Sequence, residues 1–125
     1  MLKKIKNILL YRSLEGKDIT YDTAKKIIKK ERECYLIDVR SKQEYEEGHL
    51  QGAINICLYD LEKNIEKKVK NRQAKIILYC ASGVRSKKAR EILENMGYKD
   101  VYSLKYGILA VSYTHLRAHE TELHL

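Results

Sequence analysis

The most informative segment of the sequence covers residues 76–86 and reads Ile76-Ile77-Leu78-Tyr79-Cys80-Ala81-Ser82-Gly83-Val84-Arg85-Ser86. Its first four residues form a continuous apolar run of strand length. Beyond the loop, apolar residues recur at helical spacing, at Ala89, Ile92, Leu93 and Met96. Cys80 is therefore predicted to lie where a buried strand turns into a helix.

The position of Cys80 predicts a chemical role for the loop that follows it. Backbone N–H groups at the start of a helix have no partner within the helix and carry partial positive charge. Such groups favour the thiolate form of a cysteine held beside them, and the thiolate is the nucleophile. They also bind anions. Residues 80–86, called the cysteine loop below, are therefore predicted to combine a nucleophile with an anion-binding site.

The rest of the chain alternates between short apolar runs and helical patterns. Predicted strands cover residues 19–21, 35–39, 53–56, 75–79 and 101–104, and predicted helices follow Asp22 and Ser41 and span residues 60–70 and 86–96. Asp22 is predicted to cap the first helix, and Ser41 with Glu44 forms a capping-box signature. Strands that alternate with helices indicate βαβ units. The predicted fold is α/β, with a central, mostly parallel sheet of about five short strands and helices on both faces.

The composition fits one globular domain. The chain has 125 residues, of which 44% are hydrophobic, with no proline, tryptophan or phenylalanine and with ten tyrosines. We expect an aliphatic core with tyrosines at its margins. The formal net charge is +8, but the lysines alternate with apolar residues at helical spacing and no aromatic residues interleave with them. This pattern favours solvated helix faces over a nucleic-acid-binding surface.

The cysteines and the N-terminal segment bear on the cellular compartment. Three cysteines without a CxxC pair argue against a disulfide framework and for a reducing environment. Residues 1–18 form a basic, amphipathic segment whose apolar run is too short for a signal-peptide core or a membrane span. We therefore expect a cytoplasmic monomer that binds neither nucleic acid nor membrane. Cys34 and Cys57 are interpreted as small structural residues, with a resolving-thiol role as the alternative for Cys57.

Four stretches carry a likeness to a known family. They are Leu36-Ile37-Asp38-Val39-Arg40; Glu44-Tyr45 with Gly48-His49-Leu50 and Gly52-Ala53-Ile54-Asn55; Tyr79-Cys80-Ala81-Ser82-Gly83-Val84-Arg85-Ser86; and Gly97-Tyr98-Lys99-Asp100-Val101-Tyr102 with Gly107-Ile108. In this order they resemble the rhodanese family of sulfurtransferases in its single-domain form. The resemblance covers residues 19–110 and implies a rhodanese-like α/β domain.

The resemblance also implies an activity for Cys80. This residue would attack thiosulfate or a persulfide or polysulfide donor, and its persulfide would pass the outer sulfur to cyanide or to a thiol, including a protein thiol. The loop residues expected to bind the small anionic donor are Ala81, Ser82, Gly83, Val84, Arg85 and Ser86, with the Arg85 guanidinium forked onto a sulfonate. Supporting roles are expected for Asp38, Arg40, Glu44 and His49, with Arg40 paired with Glu44. No metal or other cofactor is implied.

Two other functions remain open at this point. Phosphatases and arsenate reductases of the same architecture separate the cysteine and arginine of the loop by five residues, whereas four residues separate Cys80 from Arg85. The smaller loop favours a single sulfur atom over a tetrahedral phosphate. Rhodanese-like domains also serve as inert interaction modules, usually without the cysteine, which is present here.

Two segments depart from the family pattern. Lys105-Tyr106-Gly107 stands where the family places two glycines, so Tyr106 is expected to fill or narrow the approach to the cysteine loop. Residues 111–125 interrupt a pattern in which the family has a tryptophan and a further helix, and most of them back-translate into a transposase-type sequencing adapter. We hypothesise that the natural sequence stops near Ala110. The i, i+4 pair of His115 and His119 is then chance spacing and not a zinc site.

Overall fold

The computed structural model describes residues 16–115 and 122–123. Within them the strands are β1 (Asp18–Ile19), β2 (Cys34–Asp38), β3 (His49–Leu50), β4 (Ile54–Asn55), β5 (Lys75–Tyr79), β6 (Asp100–Leu104) and β7 (Glu122–Leu123). The helices are α1 (Tyr21–Lys30), α2 (Lys42–Glu47), α3 (Leu61–Lys68), α4 (Val84–Asn95) and α5 (Gly107–His115), and a 3-10 turn at Leu58–Asp60 precedes α3.

A five-stranded sheet in the order β1-β6-β5-β2-β4 forms the centre of the described chain. All of its neighbouring strands are parallel. In the central strand β5, Ile77 lies opposite Leu36 of β2 and opposite Tyr102 of β6. The predicted α/β fold with a parallel sheet of five short strands is confirmed. Strands β3 and β7 form a separate parallel pair.

The two faces of the sheet carry separate apolar clusters, because successive side chains of a strand point to opposite faces. The cluster that contains Ile76, Leu78 and Cys80 includes residues of α3 and α4, namely Leu61, Ile65, Ala89 and Leu93. The cluster that contains Ile77 and Tyr79 includes residues of α1 and α5, namely Ala24, Ile108 and Val111. Helices therefore cover both faces, as predicted, and Cys80 belongs to the face covered by α3 and α4.

Of the two predicted helix caps, the one at α2 is confirmed and the one at α1 is wrong. Strand β1 ends at Ile19, and Thr20 rather than Asp22 caps α1, because its side-chain oxygen accepts a hydrogen bond from the first turn. The predicted strand at residues 19–21 and the predicted cap are thus wrong in their bounds. The capping box of Ser41 and Glu44 is confirmed at the start of α2.

Helix α4 begins earlier than the sequence predicts. Its first residue is Val84, whereas the helical pattern was expected to start at Ser86. Gly83 is the N-cap without a side-chain hydrogen bond, so the sequence carried no capping signal there. Arg85 and Ser86 therefore lie in the first turn of α4, where backbone N–H groups lack partners within the helix.

Helix α5 follows β6, which was predicted to be the last strand, and it crosses the position where the natural sequence is expected to stop. Val111, the first residue of the proposed non-native tail, is buried in α5. The domain bounds of 1–18, 19–110 and 111–125 stay predictions. Much of the first and last of these segments lies outside the described residues, as do the side chains of His115 and His119.

The described part of the chain also bears on metal binding and on membrane insertion. No group of three or more His, Cys, Asp or Glu side chains in this part of the chain is placed to hold a metal ion. No helix within the same residues is both long and apolar enough to cross a membrane.

Candidate active site

Cys80 directly follows β5, at the carboxyl edge of the parallel sheet, where ligands of such folds bind. Its Sγ atom accepts hydrogen bonds from the backbone N–H groups of Gly83 (3.1 Å) and Ser86 (3.3 Å). The thiol also lies 3.7 Å from the Ser86 hydroxyl oxygen, and that hydroxyl donates to the Gly83 carbonyl oxygen at 3.1 Å. Two backbone amides thus point at the sulfur, an arrangement that stabilises negative charge on a ligand atom at that place.

Gly83 gives the cysteine loop its shape. Its backbone is left-handed, with φ +105°, a conformation that side chains disfavour. The turn at Gly83 brings the N–H groups of residues 83 and 86 back towards Cys80. A Cβ atom on Gly83 would lie 3.4 Å from the backbone nitrogen of Tyr106, so the loop also packs closely against the segment that follows β6.

The Cys80 sulfur is buried, whereas the nucleophile of an open anion-binding loop would be exposed to solvent. Only 1% of Cys80 is exposed, and the residue belongs to the apolar cluster that contains Val39 and Ala89. The neighbouring loop residue Val84 is 74% exposed, so the outer surface of the loop faces solvent while the thiol lies beneath it. Cys80 is therefore almost completely shielded from solvent.

Arg85 and Glu44 join the cysteine loop to helix α2. The two terminal nitrogens of the Arg85 guanidinium donate to the two carboxylate oxygens of Glu44, at 2.8 and 2.9 Å. Glu44 Oε1 also accepts the Ser41 backbone N–H at 3.1 Å within the capping box. The hydrogen bonds from Arg85 lower the pKa of the Glu44 carboxyl from 4.5 to about 2. The fork that was expected to hold a sulfonate is thus occupied by a carboxylate of the chain itself.

Arg40 pairs with Asp38, and the predicted pairing with Glu44 is wrong. The Arg40 guanidinium donates to both oxygens of the fully buried Asp38 carboxylate, at 2.8–3.2 Å, and the Arg40 backbone N–H donates to Asp38 Oδ1 at 2.9 Å. The Arg40 guanidinium also donates to the carbonyl oxygen of Gly48. Arg40 lies two residues beyond Asp38, the last residue of β2. Its side chain folds back towards the end of the strand, and there the Asp38 carboxylate accepts its hydrogen bonds.

His49 is tied to helix α2 and its ring stacks on Tyr45. The ring centroids are 3.8 Å apart with an interplanar angle of 11°, and Nδ1 hydrogen-bonds with the Tyr45 carbonyl oxygen at 2.8 Å. The Tyr45 hydroxyl in turn donates to the carbonyl of Ala53. These contacts hold the turn between α2 and β4 in place.

Two sets of residues around the cysteine loop were missed as site residues. Asn55 Nδ2 donates to the carbonyl oxygens of Asp38 (2.9 Å) and Arg40 (3.0 Å), which fixes the end of β2. At the start of α5, the N–H of Ile108 donates to the Cys80 carbonyl (2.9 Å) and the N–H of Leu109 donates to the Ala81 carbonyl (3.0 Å). The second set is visible in the sequence only as the glycine at position 107.

Gly107 and Tyr106 shape this second contact. Gly107 has φ +64°, and a Cβ atom there would overlap the backbone carbonyls of Cys80 and Ala81. Only glycine therefore allows α5 to approach the cysteine loop so closely. Tyr106 is the one non-glycine residue with a left-handed backbone in the described chain, with φ 65°, and it is 65% exposed. Its predicted effect on access to the cysteine loop stays a prediction.

The two other cysteines have different surroundings. Both are half-buried. Burial raises the pKa of the Cys34 thiol to about 11, which disfavours the reactive thiolate there. Cys57 follows β4 at the carboxyl edge of the sheet.

A family comparison matches residues 20–113 to the rhodanese-like domain. Thiosulfate sulfurtransferase PspE of Escherichia coli is 42% identical over 65 residues, which are 52% of this chain and 62% of that protein. Thiosulfate sulfurtransferase GlpE of Coxiella burnetii is 33% identical over 91 residues, which are 73% of this chain and 82% of that protein.

The chain is also similar to a protein with a different named activity and, separately, to a protein of solved structure. The tRNA uridine(34) hydroxylase of Buchnera aphidicola is 36% identical over 83 residues, which are 63% of this chain but only 27% of that longer protein. A solved structure described as a rhodanese with anions from E. coli is 36% identical, with a TM-score of 0.53, and the alignment covers 59% of this chain and 85% of that one.

Proposed function

The chain belongs to the rhodanese-like domain family, and from that premise we propose that it is a sulfurtransferase that carries a sulfane sulfur on Cys80. The observation that carries the proposal is the pair of backbone amides, from Gly83 and Ser86, that point at the Cys80 sulfur. Two relatives named as thiosulfate sulfurtransferases support the same chemistry.

The proposed reaction has two displacements at sulfur. In the first, the Cys80 thiolate attacks the outer sulfur of thiosulfate, the S–S bond breaks, and sulfite leaves with the bonding electron pair. Cys80 is then a persulfide whose terminal sulfur carries the negative charge. In the second, cyanide or a thiolate attacks that terminal sulfur and the Cys80 thiolate returns. Such a covalent intermediate divides one transfer into two easier steps.

The chain's own groups have distinct roles in these steps. The N–H groups of Gly83 and Ser86 stabilise negative charge on Cys80 before and after each displacement. Arg85 is held by Glu44, so an anionic donor either uses the remaining N–H groups of the guanidinium or displaces the carboxylate. The buried Asp38–Arg40 pair and Asn55 hold the end of β2 beside the loop.

A second candidate function follows from the burial of the thiol. An interaction module that transfers no sulfur needs no path to Cys80, and the 1% exposure of this residue fits such a module. The same burial fits a sulfurtransferase whose loop opens to admit the donor. Turnover separates the two candidates, because a module without transfer activity produces no thiocyanate.

The test is thiocyanate formation from thiosulfate and cyanide by the full chain. We expect activity that is abolished in Cys80→Ser and retained in the matched control Cys34→Ser, because Cys34 is a thiol of raised pKa outside the cysteine loop. Activity that survives in Cys80→Ser contradicts the proposed nucleophile. A folded wild-type chain without activity supports the interaction module.

A further inference from the structure

A cavity of about 350 Å³ opens beside β4 and α3, and none of the cysteine-loop residues lines it. Its wall includes Cys57 and two asparagines, Asn55 and Asn64. Cys57 and Asn55 lie at the carboxyl end of β4, the edge of a parallel sheet where ligands bind. The volume is in the range of cavities that take small molecules.

The charges around this cavity are predominantly positive. Lys42 contributes from the start of α2, and Lys67 and Lys68 contribute from the end of α3. Asp60 is the carboxylate in the lining, so three lysines and one acidic residue line the cavity. The cavity therefore has an excess of two positive charges, which complements a dianion.

The three cavity lysines differ from Lys75 in their lack of acidic partners. Lys75, for comparison, lies within 4 Å of both Glu31 and Asp100. Within the described residues, none of the three cavity lysines forms an ion pair. Unneutralised cations around a concave surface raise the local concentration of anions.

The polar groups of the wall can complete the contacts to such an anion. Asn64 is half-buried in the cavity wall and offers side-chain amide N–H groups to an anion. Both N–H groups of the Asn55 amide already donate to the Asp38 and Arg40 carbonyls, so Asn55 shapes the wall without donating to the anion. Lysine ammonium groups bind tetrahedral oxyanions as point charges without the planar geometry that arginine imposes. The cavity thus combines positive charge with one half-buried amide donor, that of Asn64.

We propose that this cavity is a binding site for a small tetrahedral dianion, the chemistry shared by phosphate groups and thiosulfate. The site is separate from Cys80, and its occupancy does not require sulfur transfer. Cys57 lies in its wall and serves as a chemical reporter of occupancy.

The direct test is an NMR titration of the full chain with inorganic phosphate, and of its Cys80→Ser variant with thiosulfate so that no persulfide forms. We expect saturable shifts of the side-chain amide signals of Asn55 and Asn64. Sodium chloride at equal ionic strength is the control. Binding of either dianion supports the proposal and identifies the source. Shifts from neither dianion, or equal shifts from chloride, overturn it.

A matched pair of variants links the binding to the cavity. Lys67→Gln with Lys68→Gln removes two cavity charges, and Lys63→Gln with Lys70→Gln removes two exposed charges that do not line the cavity. Both double variants have the same net charge. We expect the first to weaken dianion binding about tenfold and the second to leave it unchanged. Equal weakening in the two variants contradicts a local site.

Alkylation of Cys57 gives an independent measurement. Trypsin separates Cys57 from Cys80, which lies in residues 76–85, and mass spectrometry follows each peptide. The Cys57 peptide covers residues 43–63, or residues 43–67 in the variant that lacks Lys63. The cavity charges should favour anionic iodoacetate over neutral iodoacetamide at Cys57, and phosphate should reduce this preference. The preference should fall in the Lys67→Gln, Lys68→Gln variant. A preference that is the same in both double variants contradicts the proposal.

Discussion

At the scale of single residues, Gly107 is the position where one added carbon atom has the largest expected effect. A Cβ there would overlap the carbonyls of Cys80 and Ala81 and would also occupy a backbone with φ +64°. Gly97 is the matched control, because its backbone is also left-handed, with φ +95°, but a Cβ added there would meet nothing within 4 Å.

We predict that Gly107→Ala lowers the free energy of unfolding by about 2–4 kcal/mol and Gly97→Ala by about 1–2 kcal/mol. The difference between them measures the steric overlap, since both carry the backbone strain. Urea denaturation gives both values. Equal losses of unfolding free energy in the two variants would show that α5 is not in close contact with the cysteine loop.

At Tyr106, in contrast, a substitution is expected to stabilise the protein. Its left-handed backbone is strained for a side chain, and its ring is mostly exposed, so little packing is lost when the ring is removed. Tyr106→Gly should stabilise the protein by about 0.5–1 kcal/mol, whereas Tyr106→Ala keeps the strain and should not. Thermal denaturation of both variants tests this, and a Tyr106→Ala that is as stable as Tyr106→Gly contradicts strain as the cause.

At the scale of elements, the Glu44–Arg85 pair couples α2 to the start of α4. The pKa of Glu44 is lowered from 4.5 to about 2 by the hydrogen bonds from Arg85, so the ionised form is bound more tightly in the folded chain. The pair's contribution to stability is therefore complete above about pH 4.5 and is lost as the pH falls towards 2. Both side chains are about one-third exposed, which keeps the contribution below about 1 kcal/mol.

The variant Glu44→Gln isolates this charge, because glutamine can still accept the Ser41 N–H in the capping box. We predict that Glu44→Gln is less stable than the wild type at pH 7 and that the difference shrinks by pH 3 and vanishes near pH 2. Urea denaturation at these pH values measures it. A difference that is constant over this range would mean that the ion pair does not contribute.

The elements also show where sequence reasoning succeeds. The apolar run at residues 76–79 and the capping box at Ser41 are local signals, so β5 and the start of α2 were predictable. Local signals fail where two partners compete. Two carboxylates, those of Asp38 and Glu44, lie within four residues of Arg40 in the sequence. In the structure the backbone after β2 places the Arg40 side chain against Asp38. The partner of Glu44 is Arg85, which lies 41 residues away, and no local pattern indicates that pairing.

At the scale of the whole molecule, the parallel sheet places the cysteine loop at the carboxyl edge and α5 holds it there. Sequence periodicity predicted the sheet and the position of Cys80, because alternating strands and helices allow few topologies. The burial of the Cys80 sulfur was not predictable from the sequence. It depends on the turn at Gly83 and on residues of several elements that come into contact only after folding. The proposed sulfur transfer thus depends on whether a donor reaches a thiol in a residue that is 1% exposed.

Sulfur transfer to Cys80 is tested most directly by mass spectrometry of the tryptic peptide of residues 76–85. The full chain is first incubated with thiosulfate, and the excess is removed. We predict that this peptide gains the mass of one sulfur atom, that cyanide removes it, and that the peptides containing Cys34 and Cys57 stay unmodified. A peptide of unchanged mass, or a sulfur atom found on another cysteine, would contradict this prediction.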